Sequence, residues 1–136
     1  MVVSGSFRIM GTDLIPEDVS ALLELNADDC HRFGDRHFGK NGREYAPFRE
    51  GLWSLNNKTP AQTIDDLVQE FAETLSNKHT QLRELRLCGL RMDLFLWVKT
   101  EDDMLGLELT PDAIALLAAL GVAVSFDIYF LGGLEA

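Results

Sequence analysis

Leu90–Lys99 reads LRMDLFLWVK, and the alternation in this stretch decides the class of fold. Met92, Leu94, Leu96 and Val98 project to one side of an extended chain, while Asp93, Phe95 and Trp97 project to the other. A strand with one aliphatic side belongs to a sheet packed on a hydrophobic layer, and its other side, acidic and aromatic, faces away from that layer. The elements around it supply the layer.

Downstream, the Glu101-Asp102-Asp103 turn leads into Leu105, Leu107 and Leu109, whose alternation predicts a second strand as hairpin partner. Thr110-Pro111-Asp112 is a helix start, with Thr110 as N-cap and Pro111 at the first helical position; Ile114, Leu117 and Leu120 follow, and Gly121 ends it. The closing strand, Val122–Phe130, is expected to bury Val122, Val124, Phe126, Ile128 and Phe130 and to show Ser125, Asp127 and Tyr129 on its opposite side. The tail LGGLEA reads as a frayed end.

Upstream, Ser6–Met10 is a short strand that stops at Gly11, and Pro16 opens a helix whose first turn carries Glu17 and Asp18 at the positive end of the dipole. Ile15, Val19, Leu22 and Leu23 form its apolar stripe. Asn26–Pro47, rich in Asp, Gly, Arg and Asn, is a long excursion with little periodicity beyond a short strand at Arg36–Gly39. Glu50–Asn56 returns to a strand. After Thr59-Pro60 comes a helix with Ile64, Leu67, Val68, Phe71 and Leu75 on one face, and Leu82 and Leu85 suggest a further helical turn.

The expected architecture is α+β: a single globular domain over residues 1–136, with a mainly antiparallel sheet of about six strands and about three helices largely on one face, arranged as ferredoxin-like split strand-helix-strand units. A chain of 136 residues with 46% hydrophobic and 25% charged residues has the proportions of one ordinary domain.

Twenty-two acids against 12 bases give a net charge of −10, which repels phosphate backbones and anionic lipid and so argues against nucleic acid or membrane as partner. It steers the protein toward a basic protein partner instead, or serves solubility alone. Cys30 and Cys88 lack CxxC spacing and read as reduced thiols of a cytoplasmic protein. Neither a signal peptide nor a membrane span is legible.

Asp28–His37, DDCHRFGDRH, gathers the residue types of a metal or thiol site without the spacing of one. Zinc needs three or four converging ligands, whereas Cys30 and His31 are adjacent and tend to diverge; a site would have to combine His31, Asp35 and His37, with or without Cys30, on a curled loop. The reading is a hydrogen-bonded polar loop, with no metal and no cofactor. His79 is read as a helix-end cation. The pairs Asp65-Asp66 and Asp102-Asp103 read as solvated surface, and no GxSxG, GxxxxGK[ST] or GxGxxG is present, so no catalytic residue is assigned.

The constellation of most interest is the second side of the sheet. Asp93, Phe95 and Trp97 could align there with Asp127 and Tyr129, with Trp53 as a further member nearby. Aromatic anchors among acids suit the recognition of a basic protein. Burial of the same aromatics under a helix or under the Asn26–Pro47 excursion is the competing reading.

Taken in order, FRIMG, Gly34-Asp35, GLWSL, LTPDAIALLAALG and FDIYF make the chain resemble a bacterial domain-of-unknown-function family, number 4279. Gly11, Trp53, Asp127 and Tyr129 fall at positions typical of that family's pattern. The resemblance implies a small free-standing α+β protein without an established activity and carries over no catalytic residue.

Three functions are thereby expected, in order. The first is a non-enzymatic immunity-type or antitoxin-like inhibitor that sets an acidic and aromatic surface against a basic effector. The second is a small-ligand binder or enzyme with a pocket near Asp93, Asp127 and Tyr129, with His31 or His37 reaching over it. The third is a self-associating module that uses the aromatic face or a sheet edge.

Overall fold

The computed structural model describes residues 1–132. Residues 133–136, the end of the LGGLEA tail, lie outside the described residues. The elements run β1 (Val2–Gly11), α1 (Pro16–Leu23), β2 (Asp29–His31), β3 (His37–Phe38), β4 (Glu44–Tyr45), β5 (Gly51–Asn56), α2 (Ile64–Thr74), α3 (His79–Leu87), β6 (Arg91–Thr100), α4 (Pro111–Leu120) and β7 (Ala123–Phe130).

The α+β class is as expected, with different counts. Five strands form one sheet in the order β2-β5-β1-β6-β7, and β3 pairs with β4 in a separate small ribbon. Every pairing of the main sheet is antiparallel except β6 with β7, which is parallel. The sheet is therefore mixed. One split unit is formed, since β5 and β6, joined through α2 and α3, run parallel with β1 antiparallel between them, whereas β6 and β7, joined through α4, are direct neighbours.

The long β6 sits beside an equally long β1, paired from Val2↔Lys99 to Met10↔Arg91. β1 begins four residues earlier than the Ser6–Met10 alternation indicated, because Ser4, Gly5 and Ser6 carry no hydrophobic signal of their own. Gly5 is needed for close packing: a Cβ there would stand 2.7 Å from Leu96 Cδ2 and 2.9 Å from the Phe95 carbonyl oxygen.

The predicted Leu105–Leu109 strand is absent, and residues 105–110 run without regular structure. Both edges of β6 are already taken, by β1 and β7, so no ladder is left for a hairpin. Leu105 and Leu109 pack instead against the core. Among the described residues four helices form rather than three, since Leu82 and Leu85 belong to α3, a nine-residue helix buried through those two side chains.

Helix ends follow local chemistry. Thr63 caps α2 by accepting from the Asp66 N–H at 3.1 Å, and Thr110 caps α4 by accepting from the Ala113 N–H at 3.3 Å. Gly121 closes α4 at φ +69°. Ile15, assigned to the α1 stripe, is the N-cap residue and is exposed; Pro16, Val19 and Leu23 make the buried side.

The core lies between the helices and one side of the sheet. Val3, Phe7 and Ile9 of β1, Met92, Leu94, Leu96 and Val98 of β6, and Trp53 and Leu55 of β5 meet Leu67, Val68 and Phe71 of α2, Leu82 of α3 and Leu117 of α4. Both sides of β6 thus face as its sequence indicated. β7 does not: Phe126, Ile128 and Phe130, expected in the core, are exposed. α4 packs on α2 and α3, so only Val124 at the start of β7 reaches the core. Among the described residues no helix is long and apolar enough to cross a membrane.

Candidate functional site

The side of the sheet opposite the helices is built by register. Arg8, Ser6 and Ser4 of β1 stand beside Asp93, Phe95 and Trp97 of β6. On the other flank, Phe95 is partnered by Ser125, Trp97 by Asp127 and Lys99 by Tyr129 of β7. Asp93, Phe95, Trp97, Asp127 and Tyr129 are therefore gathered on one surface, as the alternation of two separate strands required.

At its centre Arg8 forms a fork with Asp93, Nε donating to Oδ1 at 2.8 Å and Nη2 to Oδ2 at 2.6 Å. Ser125 Oγ donates to the same Oδ2 at 3.3 Å. The guanidinium carbon lies 4.4 Å from the Phe95 ring centroid, and Phe95 meets Trp97 at 5.9 Å in a tilted pair. Hydrogen bonding to Asp93 holds Arg8 above its ordinary pKa against the opposing cost of burial, with the Asp93, Asp127 and Glu50 charges adding to the rise. The arrangement locks the middle of the face and leaves its aromatics half-buried.

Two of the expected site residues change role. Trp53 is not on this surface: it opposes Ile9 in the ladder, points to the helices and is fully buried, with Nε1 donating to Ser20 Oγ at 2.9 Å. A one-residue difference in strand parity sends it to the core. Asp93 is on the face but only 8% exposed and neutralised by Arg8, so it offers no steering charge. Asp127 and Tyr129 are exposed, and among the described residues Asp127 has no ion-pair partner. The face is mixed in charge, with Arg8 and Lys99 set among its acids.

Arg8 is the residue that sequence reading missed. Its alternation with Phe7 and Ile9 placed it on the outer side, but pairing with Asp93, 85 positions away, depends on the β1–β6 register.

DDCHRFGDRH divides into two parts. Asp29–His31 is not loop but the edge strand β2, paired with Leu52–Ser54. Beyond it the chain curls so that Phe48 is stacked between His31, at 3.5 Å between centroids, and His37, at 4.1 Å. Asp35 accepts from the Arg32 N–H at 2.8 Å. His31 Nδ1 is buried without a hydrogen-bond partner, and burial is the main cause that lowers the His31 pKa. Among the described residues no group of three His, Cys, Asp or Glu side chains could hold a metal ion. Cys30 and Cys88 are free and exposed. His79 begins α3 rather than ending a helix, and its Nδ1 donates to the Ala119 carbonyl at 3.0 Å, at the C-terminal end of α4.

Of three cavities among the described residues, one meets the edge of this face at Lys99 and two lie away from it. One of about 390 Å³ is bounded by Val2, Lys99, Thr100 and Leu131, one of about 310 Å³ by Asp65, Asp66, Thr110 and Asp112, and one of about 70 Å³ by Leu55, Lys58 and Phe71.

A family model described as a domain of unknown function, DUF4279, matches residues 3–131, nearly the whole chain. The chain belongs to that family. No curated protein and no solved structure matches it. In this DUF4279 domain the matched span runs from the core residue Val3 to Leu131, one residue past β7, and so takes in both the helix-packed core and the open sheet face.

Proposed function

We propose that this DUF4279 protein is a non-enzymatic protein-binding module, of the immunity or antitoxin type, that docks a basic protein partner on its open sheet face. The observation that carries this reading is the segregation of the layers. Helices take one side of the sheet, and Phe95, Trp97, Asp127 and Tyr129 remain together on the other, at least partly accessible.

Half-buried aromatics held by a charged fork are rigid anchors, which lose little entropy on binding. Steering comes from the whole molecule, with its net charge of −10, rather than from this face. Acids are plentiful elsewhere, in the Glu101-Asp102-Asp103 turn and the Asp65-Asp66 start of α2. A partner that meets aromatics at the centre and feels negative potential from the rim suits an arginine-rich or lysine-rich cleft.

The test is affinity capture from the protein's own lysate with wild type and the Trp97→Ala/Tyr129→Ala double variant, followed by association kinetics at two salt concentrations. A basic protein held by the wild type, released by the double variant and slower to associate at high salt is the expected result. Capture that is indifferent to both changes would refute the assignment of this face.

A further inference from the structure

The two edges of the main sheet differ in how they are protected. β2 is three residues long, carries Asp29 and runs straight into the polar excursion. β7 is eight residues long, AVSFDIYF, with no proline, lysine or arginine and one acid. Natural edge strands are blunted by short length, charge or proline, and β7 uses almost none of these devices.

Its apolar side chains are also uncovered. Phe126 is 37% exposed, Ile128 40%, Tyr129 49%, Phe130 47% and the following Leu131 57%. With a large aromatic offering about 200 Å², these five residues and their backbone present about 500 Å² per chain. Two copies meeting there bury up to about 1,000 Å², the lower bound for a specific interface.

The backbone sets the phase of any further pairing. The Leu131 N–H donates inward to the Thr100 carbonyl at 2.7 Å, and strand residues alternate in direction, so the N–H and C=O groups of Phe126, Ile128 and Phe130 point to the free edge.

We infer that β7 is the interface of a symmetric homodimer in which two copies pair antiparallel through this edge, with the two-fold axis at Ile128, to make one continuous ten-stranded sheet. This register sets Phe126 opposite Phe130 of the second copy, Ile128 opposite itself and Asp127 opposite Tyr129 of the second copy. The outward-pointing residues thereby meet one another, and the only acid of the strand avoids its twin. A register centred on Asp127 would bring the two carboxylates together. The inference does not depend on the basic partner of the open face, and salt separates the two: chains of like charge associate more tightly as salt screens their repulsion, whereas a basic partner is held less tightly.

The experiment is sedimentation of the full chain in reductant, to exclude disulfides of Cys30 and Cys88, at about 10 to 200 µM. It is accompanied by residue-resolved amide exchange on wild type, Ile128→Lys and Phe130→Glu, with circular dichroism confirming that each variant is folded. The expected result is a species of twice the 15.2 kDa chain mass, strengthened by salt, with slow exchange at the Phe126, Ile128 and Phe130 amides. At least one folded variant should dissociate about 30-fold or more weakened, with those amides exchanging freely. A wild-type monomer across the range, whether its edge is left open or is occupied by another protein or by the chain's own tail, overturns the inference. So does a dimer that survives in every folded variant.

Discussion

Arg8 and Asp93 face each other across the β1–β6 ladder and share two parallel hydrogen bonds of 2.8 and 2.6 Å in the middle of the open sheet face. The carboxylate is nearly buried, whereas the Arg8 side chain keeps 30% exposure. Loss of one partner therefore strands a charge that water reaches only in part. Arg8→Ala is expected to cost about 2 kcal/mol, below the 3–5 kcal/mol of a fully buried pair, and Arg8→Met/Asp93→Leu to regain most of that loss. Urea denaturation of the two variants checks both statements, and a double variant as unstable as the single would count against the pairing as the cause.

Trp53 and Trp97 should behave as opposites despite lying in the same sheet. Trp53→Ala opens a cavity under α1 and leaves Ser20 Oγ without the indole donor, a loss of about 3–5 kcal/mol. Trp97→Ala is expected to lower stability by less than half of that, because the ring is only partly buried. Acrylamide should quench Trp97 emission in a Trp53→Phe protein and scarcely touch Trp53 emission in a Trp97→Phe protein.

At the end of α4 a glycine and an arginine share a tight space. Gly121 has φ +69°, and a Cβ there would lie 2.9 Å from the Arg86 guanidinium, which donates to the Leu120 carbonyl at 2.9 Å. Gly121→Ala should cost about 1–2 kcal/mol from the left-handed backbone, plus whatever displacement of Arg86 adds. If thermal melting of Gly121→Ala matches the wild type, the left-handed cap is unimportant.

Acid should weaken the fold through His31. Burial lowers its folded pKa below the ordinary 6.5, with nearby His37 acting in the same sense and Asp35 and the Glu50 backbone opposing. Above the unfolded pKa both states carry a neutral ring, and the contribution to stability is complete. As pH falls below about 6.5 the unfolded chain takes up the proton first, so stability declines until the folded ring is protonated too. Unfolding free energies at pH 7.5 and 5.5 should therefore differ more for wild type than for His31→Phe, which keeps a ring against Phe48 but cannot titrate. An equal difference would mean that other groups set the acid response.

Much of the fold was legible because its signals are local. The aliphatic row of LRMDLFLWVK faces the core, the Thr110 cap acts where its sequence placed it, and the helical face of Ile64, Leu67, Val68 and Phe71 is buried as its 3.6-residue spacing demands. The face carrying Phe95, Trp97, Asp127 and Tyr129 was legible for the same reason, since alternation within a strand fixes sidedness before any partner is known. Alternation in Leu105–Leu109 misled because a pattern can ask for a ladder only where a strand edge remains free.

What the sequence by itself determined was the chain's class, its charge of −10, the starts of α1 and α4 and which side chains of β6 go inward. Those follow from backbone propensity, capping and period, which act over a few residues. Tertiary structure alone decided that Arg8 neutralises Asp93, that Trp53 belongs to the core, that Phe48 stands between His31 and His37, and that the apolar row of β7 is left uncovered. Each of these depends on strand order and register between segments distant in the chain, and neither is encoded in the spacing of any one segment.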